Sequence, residues 1–135
     1  MQDDIRRLHQ LLNEGQCCAA ALVRMALERR GEDNPRLVQA VRGLCGGVHD
    51  GLLCGALTGA ACMLNVADPE RANDEMVPEL ARWFRTEVAA QYGGSDCAAI
   101  VGPDPAAKAV RCPPLVEATY RQAKEILKNH GHDWE

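Results

Sequence analysis

Apolar residues recur at three- and four-residue spacings along most of this chain, the period of a helix with one buried face. Ile5, Leu8, Leu11 and Leu12 share one face of a first predicted helix, which Asp3 and Asp4 can cap and Gly15 stops. A second helix is expected over 16–30, with Ala19, Leu22, Val23, Ala26 and Leu27 inward. Arg29 and Arg30 suit its C-terminal end, where the helix dipole favours cations. Asn34-Pro35 reads as an N-cap followed by proline at the first helical position, opening a third helix through Leu37, Val38 and Val41.

The pattern then breaks. Four glycines fall within residues 43–51, which predicts a loop with unusual backbone angles or a close backbone approach. A fourth helix follows over 52–66, with Gly55 and Gly59 one turn apart, a spacing that leaves a smooth groove for another backbone. Residues 76–92 are strongly amphipathic, with Leu80, Trp83, Phe84 and Val88 inward and Pro78 in the first turns. Gly93-Gly94-Ser95-Asp96 stops that helix and caps a short one at 97–101. Residues 102–111 read as a connector, Pro113-Pro114 opens a last helix over 115–128, and a polar tail follows. No strand-like alternation and no internal repeat occurs.

Length and composition narrow this to one domain, 1–135, large enough to bury its own core. With one Phe, two Tyr and two Trp, that core must be built from Ala, Leu, Val, Ile, Met and Cys. The fold class is therefore all-α, a single compact bundle of five to seven helices. A net charge of -4 lacks the basic footprint that nucleic acid requires. The stretch 52–64 is too short to span a bilayer, and the charged N-terminus lacks a signal-peptide core, so the expected location is cytoplasmic with no membrane insertion.

That location sharpens the meaning of the seven cysteines, because cytoplasmic thiols are kept reduced. Cys18, Cys54, Cys97 and Cys112 each fall at the start of a predicted helix, where free N–H groups and the dipole favour a thiolate. A thiolate is both the nucleophile of disulfide exchange and the form that ligates a metal. Cys62, inside the fourth helix, reads as a small buried hydrophobe. Cys17 points about 100° from Cys18 on a helix, so the two cannot both face one site, and Cys18 is the favoured functional member. Cys45 lies in the glycine loop. No CxxC, haem-attachment or ferredoxin spacing is present.

Four segments in order carry a resemblance: Gly15-Gln16-Cys17-Cys18-Ala19-Ala20, Leu44-Cys45-Gly46-Gly47, Cys54-Gly55-Ala56-Leu57-Thr58-Gly59-Ala60, and Tyr92-Gly93-Gly94-Ser95-Asp96-Cys97 with Cys112 beyond. Together they resemble the redox-active family named for its C_GCAxxG_C_C pattern, with Cys18, Cys54, Cys97 and Cys112 in the four family positions. The resemblance implies a glycine-rich loop before the CGAxxG helix and cysteine-based redox chemistry, with no settled substrate. The chain departs from the pattern by adding Cys17, Cys45 and Cys62.

Three functions follow as alternatives. The first is thiol/disulfide exchange or electron transfer with a redox partner protein, needing no cofactor, with Cys54 as the expected reactive thiol. Two bridges among four cysteines allow three connectivities, and Cys18–Cys54 with Cys97–Cys112 is the working one. The second is a zinc or iron–sulfur protein that uses Cys18, Cys54, Cys97 and Cys112 as ligands. The third is a partner-binding module whose cysteines only pack. Homo-oligomer formation is compatible with all three. Of the histidines, His49 lies near the thiols as a candidate base or ligand, while His9, His130 and His132 are expected at the surface.

Overall fold

The computed structural model describes residues 2–134. Seven helices make up the fold: α1 (Gln2–Asn13), α2 (Cys18–Arg29), α3 (Pro35–Val41), α4 (Gly55–Ala67), α5 (72–92), α6 (Cys97–Val101) and α7 (Ala106–Asn129). The all-helical expectation holds. Among the described residues the only β-type pairing is an isolated antiparallel bridge between Leu53 and Asp96. Among the described residues, no helix is long and apolar enough to cross a membrane.

The inward faces read from the sequence form the core. Leu8 and Leu11 of α1, Leu22 of α2, Leu80 and Phe84 of α5 and Ile126 and Leu127 of α7 are all fully buried in one cluster. A second, smaller cluster joins Ala20, Val23 and Leu27 to Val41, and so fastens α3 to the back of α2. Helices α2 and α4 form the most extensive pair. The two glycines of α4 explain the closeness: a Cβ at Gly59 would lie 2.5 Å from the Ala19 Cα, and one at Gly55 would lie 3.2 Å from the Cys18 Sγ. Those glycine positions let the start of α2 lie directly on the start of α4.

Helix α5 is continuous but widens at Ala72–Met76 and at Phe84–Ala89. Pro78 has no N–H to give to the first wide turn, and the Thr86 hydroxyl competes for the carbonyls of Arg82 (3.0 Å) and Trp83 (3.2 Å) at the second.

Three expectations are corrected. Asp3 and Asp4 do not cap α1, which begins at Gln2; Asp3 is exposed and Asp4 turns inward. Residues 106–111 are the first turns of α7, so Cys112 and Pro113-Pro114 lie within a helix. The prolines remove the N–H partners of the Ala109 and Val110 carbonyls, and both of those residues are exposed, so water can replace the lost bonds. The tail is packed as well. Trp134 is buried and donates Nε1–H to the Tyr120 hydroxyl at 3.1 Å, while Tyr120 and Lys124 both donate to Asp4 Oδ2 at 2.7 Å. His132 meets Asp68 at 2.7 Å and His130 meets Glu79 at 3.5 Å, so neither histidine is simply solvated. His9 lies 2.6 Å from Glu117.

Candidate functional site

The site is assembled where α2, α4, α6 and the loop before α4 meet. In that loop Gly46, Gly47, Val48 and His49 are successively left-handed, with φ of 63°, 64°, 58° and 56°. Glycine adopts this region freely, but a β-branched valine does so only under strain of order 1–3 kcal/mol. The turn delivers Leu52 and Leu53 in extended form to the segment before α6. The Cys54 N–H donates to the Ser95 carbonyl at 3.0 Å, and the Cys97 N–H donates to the Leu52 carbonyl at 2.6 Å. Two helix starts remote in sequence are thus tied side by side, each carrying its cysteine.

Cys18, Cys54, Cys97 and Cys112 are free thiols, and they form one electrostatic group. A charge on Cys18 or Cys97 would raise the pKa of both Cys54 and Cys112, and a charge on Cys97 would raise that of Cys18. Of the four residues picked from the sequence, Cys18 and Cys112 line one cleft, and Cys54 and Cys97 lie on segments joined by backbone hydrogen bonds. Among the described residues, no three His, Cys, Asp or Glu side chains are grouped tightly enough to hold a metal ion.

Cys18, Cys54 and Cys112 are not the ready thiolates that the sequence suggests. Burial pushes the Cys54 thiol up to about 12, against which the N–H groups of Ala56 and Leu57 provide only partial relief. Burial likewise raises Cys18, opposed by its own N–H, that of Ala19 and the Lys108 charge. It raises Cys112 too, again opposed by Lys108. Desolvation wins at Cys54 and Cys18 because a backbone N–H carries only a partial charge, and at Cys112 because the opposing Lys108 is exposed and screened by solvent. Cys62 is half-buried beside Val23 and Leu37 on the other side of α4, with its thiol also raised by burial.

The pair set aside in the sequence is the bonded one. Cys17, the N-cap residue of α2, forms a disulfide with Cys45, with Cα atoms 6.1 Å apart and a separation of 28 positions along the chain. Neither bond of the working connectivity, Cys18–Cys54 or Cys97–Cys112, is present. The reason is the direction that divides Cys17 from Cys18. Cys18 faces α4 and the thiol group, whereas Cys17 faces the loop that carries Cys45.

The disulfide lies between two clefts. An inner one of about 310 Å³ is lined by both bonded cysteines together with Cys18, Cys112 and Lys108. An outer one of about 360 Å³ is lined by both bonded cysteines with Gln39, Arg42 and His49. The His49 Nε2 lies 2.9 Å from the Arg42 carbonyl, which can only accept, so Nε2 carries the hydrogen and a neutral ring presents Nδ1 as an acceptor. His49 thus belongs with the disulfide rather than with Cys54. Lys108 and Arg42 were not singled out in the sequence. Lys108 could have been found as the residue one helical turn before Cys112, had α7 been recognised as starting at Ala106.

The family described as "Putative redox-active protein (C_GCAxxG_C_C)" matches residues 16–126. The chain belongs to this family. No curated protein and no solved structure matches it. The match covers the glycine seam, the left-handed loop and all seven cysteines. Membership in the C_GCAxxG_C_C family accounts for the redox character of the site in outline and leaves its chemistry to be argued from the geometry.

Proposed function

We propose that this member of the C_GCAxxG_C_C family is a thiol/disulfide exchange protein in which Cys17–Cys45 is the oxidised couple and Cys18 is the first of the inner thiols. The observation that carries this reading is the single cleft shared by the disulfide, the Cys18 and Cys112 thiols and the Lys108 ammonium. Cys18 Sγ and Cys45 Cα lie 3.2 and 3.4 Å from the point where a Gly55 Cβ would stand, so the bare glycine borders both the thiol and the far half of the bond. Attack on Cys17 would close a small strained ring across one peptide bond, which directs Cys18 to Cys45.

The electrons balance within the chain. The Cys18 thiolate attacks Cys45 Sγ, forming Cys18–Cys45 and releasing Cys17 as a thiolate that takes up a proton. The Cys112 thiolate then attacks Cys18 Sγ, forming Cys18–Cys112 and releasing Cys45. One disulfide is consumed and one is made, moving from the outer cleft to the inner group. A redox partner protein or small thiol would exchange with the outer bond. In the cytoplasm, the compartment we assign, a disulfide is transient and belongs to redox chemistry, in keeping with a bond that exchanges.

Because burial raises Cys18, its thiolate is scarce at neutral pH and internal exchange should quicken about tenfold per pH unit below its pKa. The test is to hold the oxidised protein at a series of pH values, trap its thiols with an alkylating agent and map the bonds by mass spectrometry. Cys18–Cys45 and Cys18–Cys112 linkages should grow in with pH and vanish in Cys18→Ser. Finding only Cys17–Cys45 at every pH would overturn the proposal. Metal analysis after anaerobic purification tests the alternative use of Cys18, Cys54, Cys97 and Cys112 as zinc or iron–sulfur ligands.

A further inference from the structure

We infer that the outer face of the Cys17–Cys45 disulfide is a binding site for a short zwitterionic peptide thiol, whose carboxylate pairs with Arg42 and whose ammonium pairs with Asp33. The inference rests on the exchange reading above and names the class of small-molecule reductant that would use it. The outer cleft does not end at the disulfide. Gln39 and Arg42 also line a second, larger cavity of about 490 Å³ between α2 and α3, which reaches Asp33.

The charges along this path are unequal in availability. Glu28 is held by Arg7 at 2.8 Å and by Arg24 at 3.4 Å, and Glu32 is held by Arg30 at 2.5 Å. Among the described residues, the Arg42 guanidinium and the Asp33 carboxylate have no hydrogen bond or ion pair, and the Gln39 amide is also without a partner. One unpaired cation thus stands beside the disulfide, and one unpaired anion stands at the far end of α3. A ligand with a single charge would leave one of them unmatched, whereas a zwitterion meets both.

The spacing sets the ligand's size. Asp33 and Arg42 flank Asn34 and the seven residues of α3, nine steps that come to about 14 Å at a helical rise of 1.5 Å per residue. An extended chain of three residues spans about 10 Å before side chains are counted, so a tripeptide reaches where a free amino acid does not. A thiol within such a chain would lie over the half-exposed Cys17 rather than the buried Cys45.

The step balances as follows. The ligand loses its thiol proton to solvent, and its thiolate attacks Cys17 Sγ. A ligand–Cys17 disulfide forms, the Cys17–Cys45 bond breaks, and Cys45 leaves as a thiolate that regains a proton. A second ligand thiolate attacks the ligand sulfur of that mixed disulfide and releases Cys17. Two ligand thiols are oxidised to one disulfide while the protein's disulfide is reduced to two thiols.

The test measures reduction of the oxidised full-length protein by glutathione, by cysteamine, which has no carboxylate, and by 2-mercaptoethanol, which has no charge. Rates are corrected for the thiolate fraction of each reagent and repeated in Arg42→Ala and Asp33→Asn. Glutathione should show saturation and outpace both controls, and each variant should slow it about two- to fivefold, the order expected for one lost ion pair at an exposed rim. 2-Mercaptoethanol should be indifferent to both substitutions. If all three reagents reduce the bond at the same corrected rate, with no effect of Arg42→Ala, the inferred site is wrong while exchange at Cys17–Cys45 stands. If no thiol reduces the bond reversibly, the exchange reading itself fails and takes this site with it.

Discussion

The two ends of the bundle bury ionisable groups in similar surroundings and treat them in opposite ways. At the α1–α7 end, burial pushes the Asp4 carboxyl up. Hydrogen bonds from Lys124 and Tyr120 and the Lys124 charge together outweigh it, and the carboxyl ends below its ordinary value. At the α2–α4 end, burial pushes Cys54 up to about 12, and only backbone N–H groups oppose it. The difference is one full positive charge at 2.7 Å. Burial neutralises a group unless a partner of opposite charge is buried with it. The carboxylate end is consequently a structural clamp, whereas the thiol end holds thiols whose deprotonation burial opposes.

The two ends should therefore fail at opposite extremes of pH. Asp4 has a folded pKa below its unfolded one, so its stabilisation is present above the ordinary carboxylate value and is lost as pH falls through the folded pKa. Cys54 has a folded pKa above its unfolded one, so stability declines as pH rises from the ordinary thiol range towards about 12.

The largest effect should come from breaking the clamp. Lys124→Met leaves Asp4 buried without its cation and should cost about 3–5 kcal/mol in urea unfolding, much of it recovered when Asp4→Leu is added. A single variant indistinguishable from the parent would show that the pair contributes nothing. Next, reducing Cys17–Cys45 should cost about 3–4 kcal/mol from the released chain entropy of a loop of this length, read as a lower midpoint in dithiothreitol. At the helix seam, Gly59→Ala places a methyl group against the Ala19 backbone and should cost about 1–3 kcal/mol, measured by thermal unfolding. Cys54→Ala should flatten the decline of stability at alkaline pH while leaving the acid limb unchanged. The smallest change should be a gain: Val48→Gly relieves a left-handed valine and should stabilise the oxidised protein by about 1 kcal/mol.

Much of the fold could be read from local pattern because helix faces repeat within a few residues. Leu8, Leu22, Leu80 and Phe84 are buried as their spacing requires, and Gly55 with Gly59 makes the close seam that their interval announces. The start of α7 was harder to read. Pro113-Pro114 marks a helix opening in most contexts, yet exposed carbonyls at Ala109 and Val110 let the helix pass through. The buried tail escaped notice for another reason. Trp134 finds its place against Tyr120 and under the Arg29 guanidinium, more than a hundred positions away in the case of Arg29.

The same division holds at the site. The sequence by itself placed Cys18, Cys54, Cys97 and Cys112 in the four segments of the family pattern. It also determined that Cys17 and Cys18 must face different ways, because neighbouring helical positions diverge. Only the tertiary structure decided which cysteines bond. Pairing depends on where the left-handed loop sets Cys45 against the N-cap of α2, and no local spacing encodes that meeting. Tertiary structure also decided the ionisation of the thiols. The dipole at a helix start is a local property, but desolvation depends on everything packed around the sulfur, and here desolvation is the stronger.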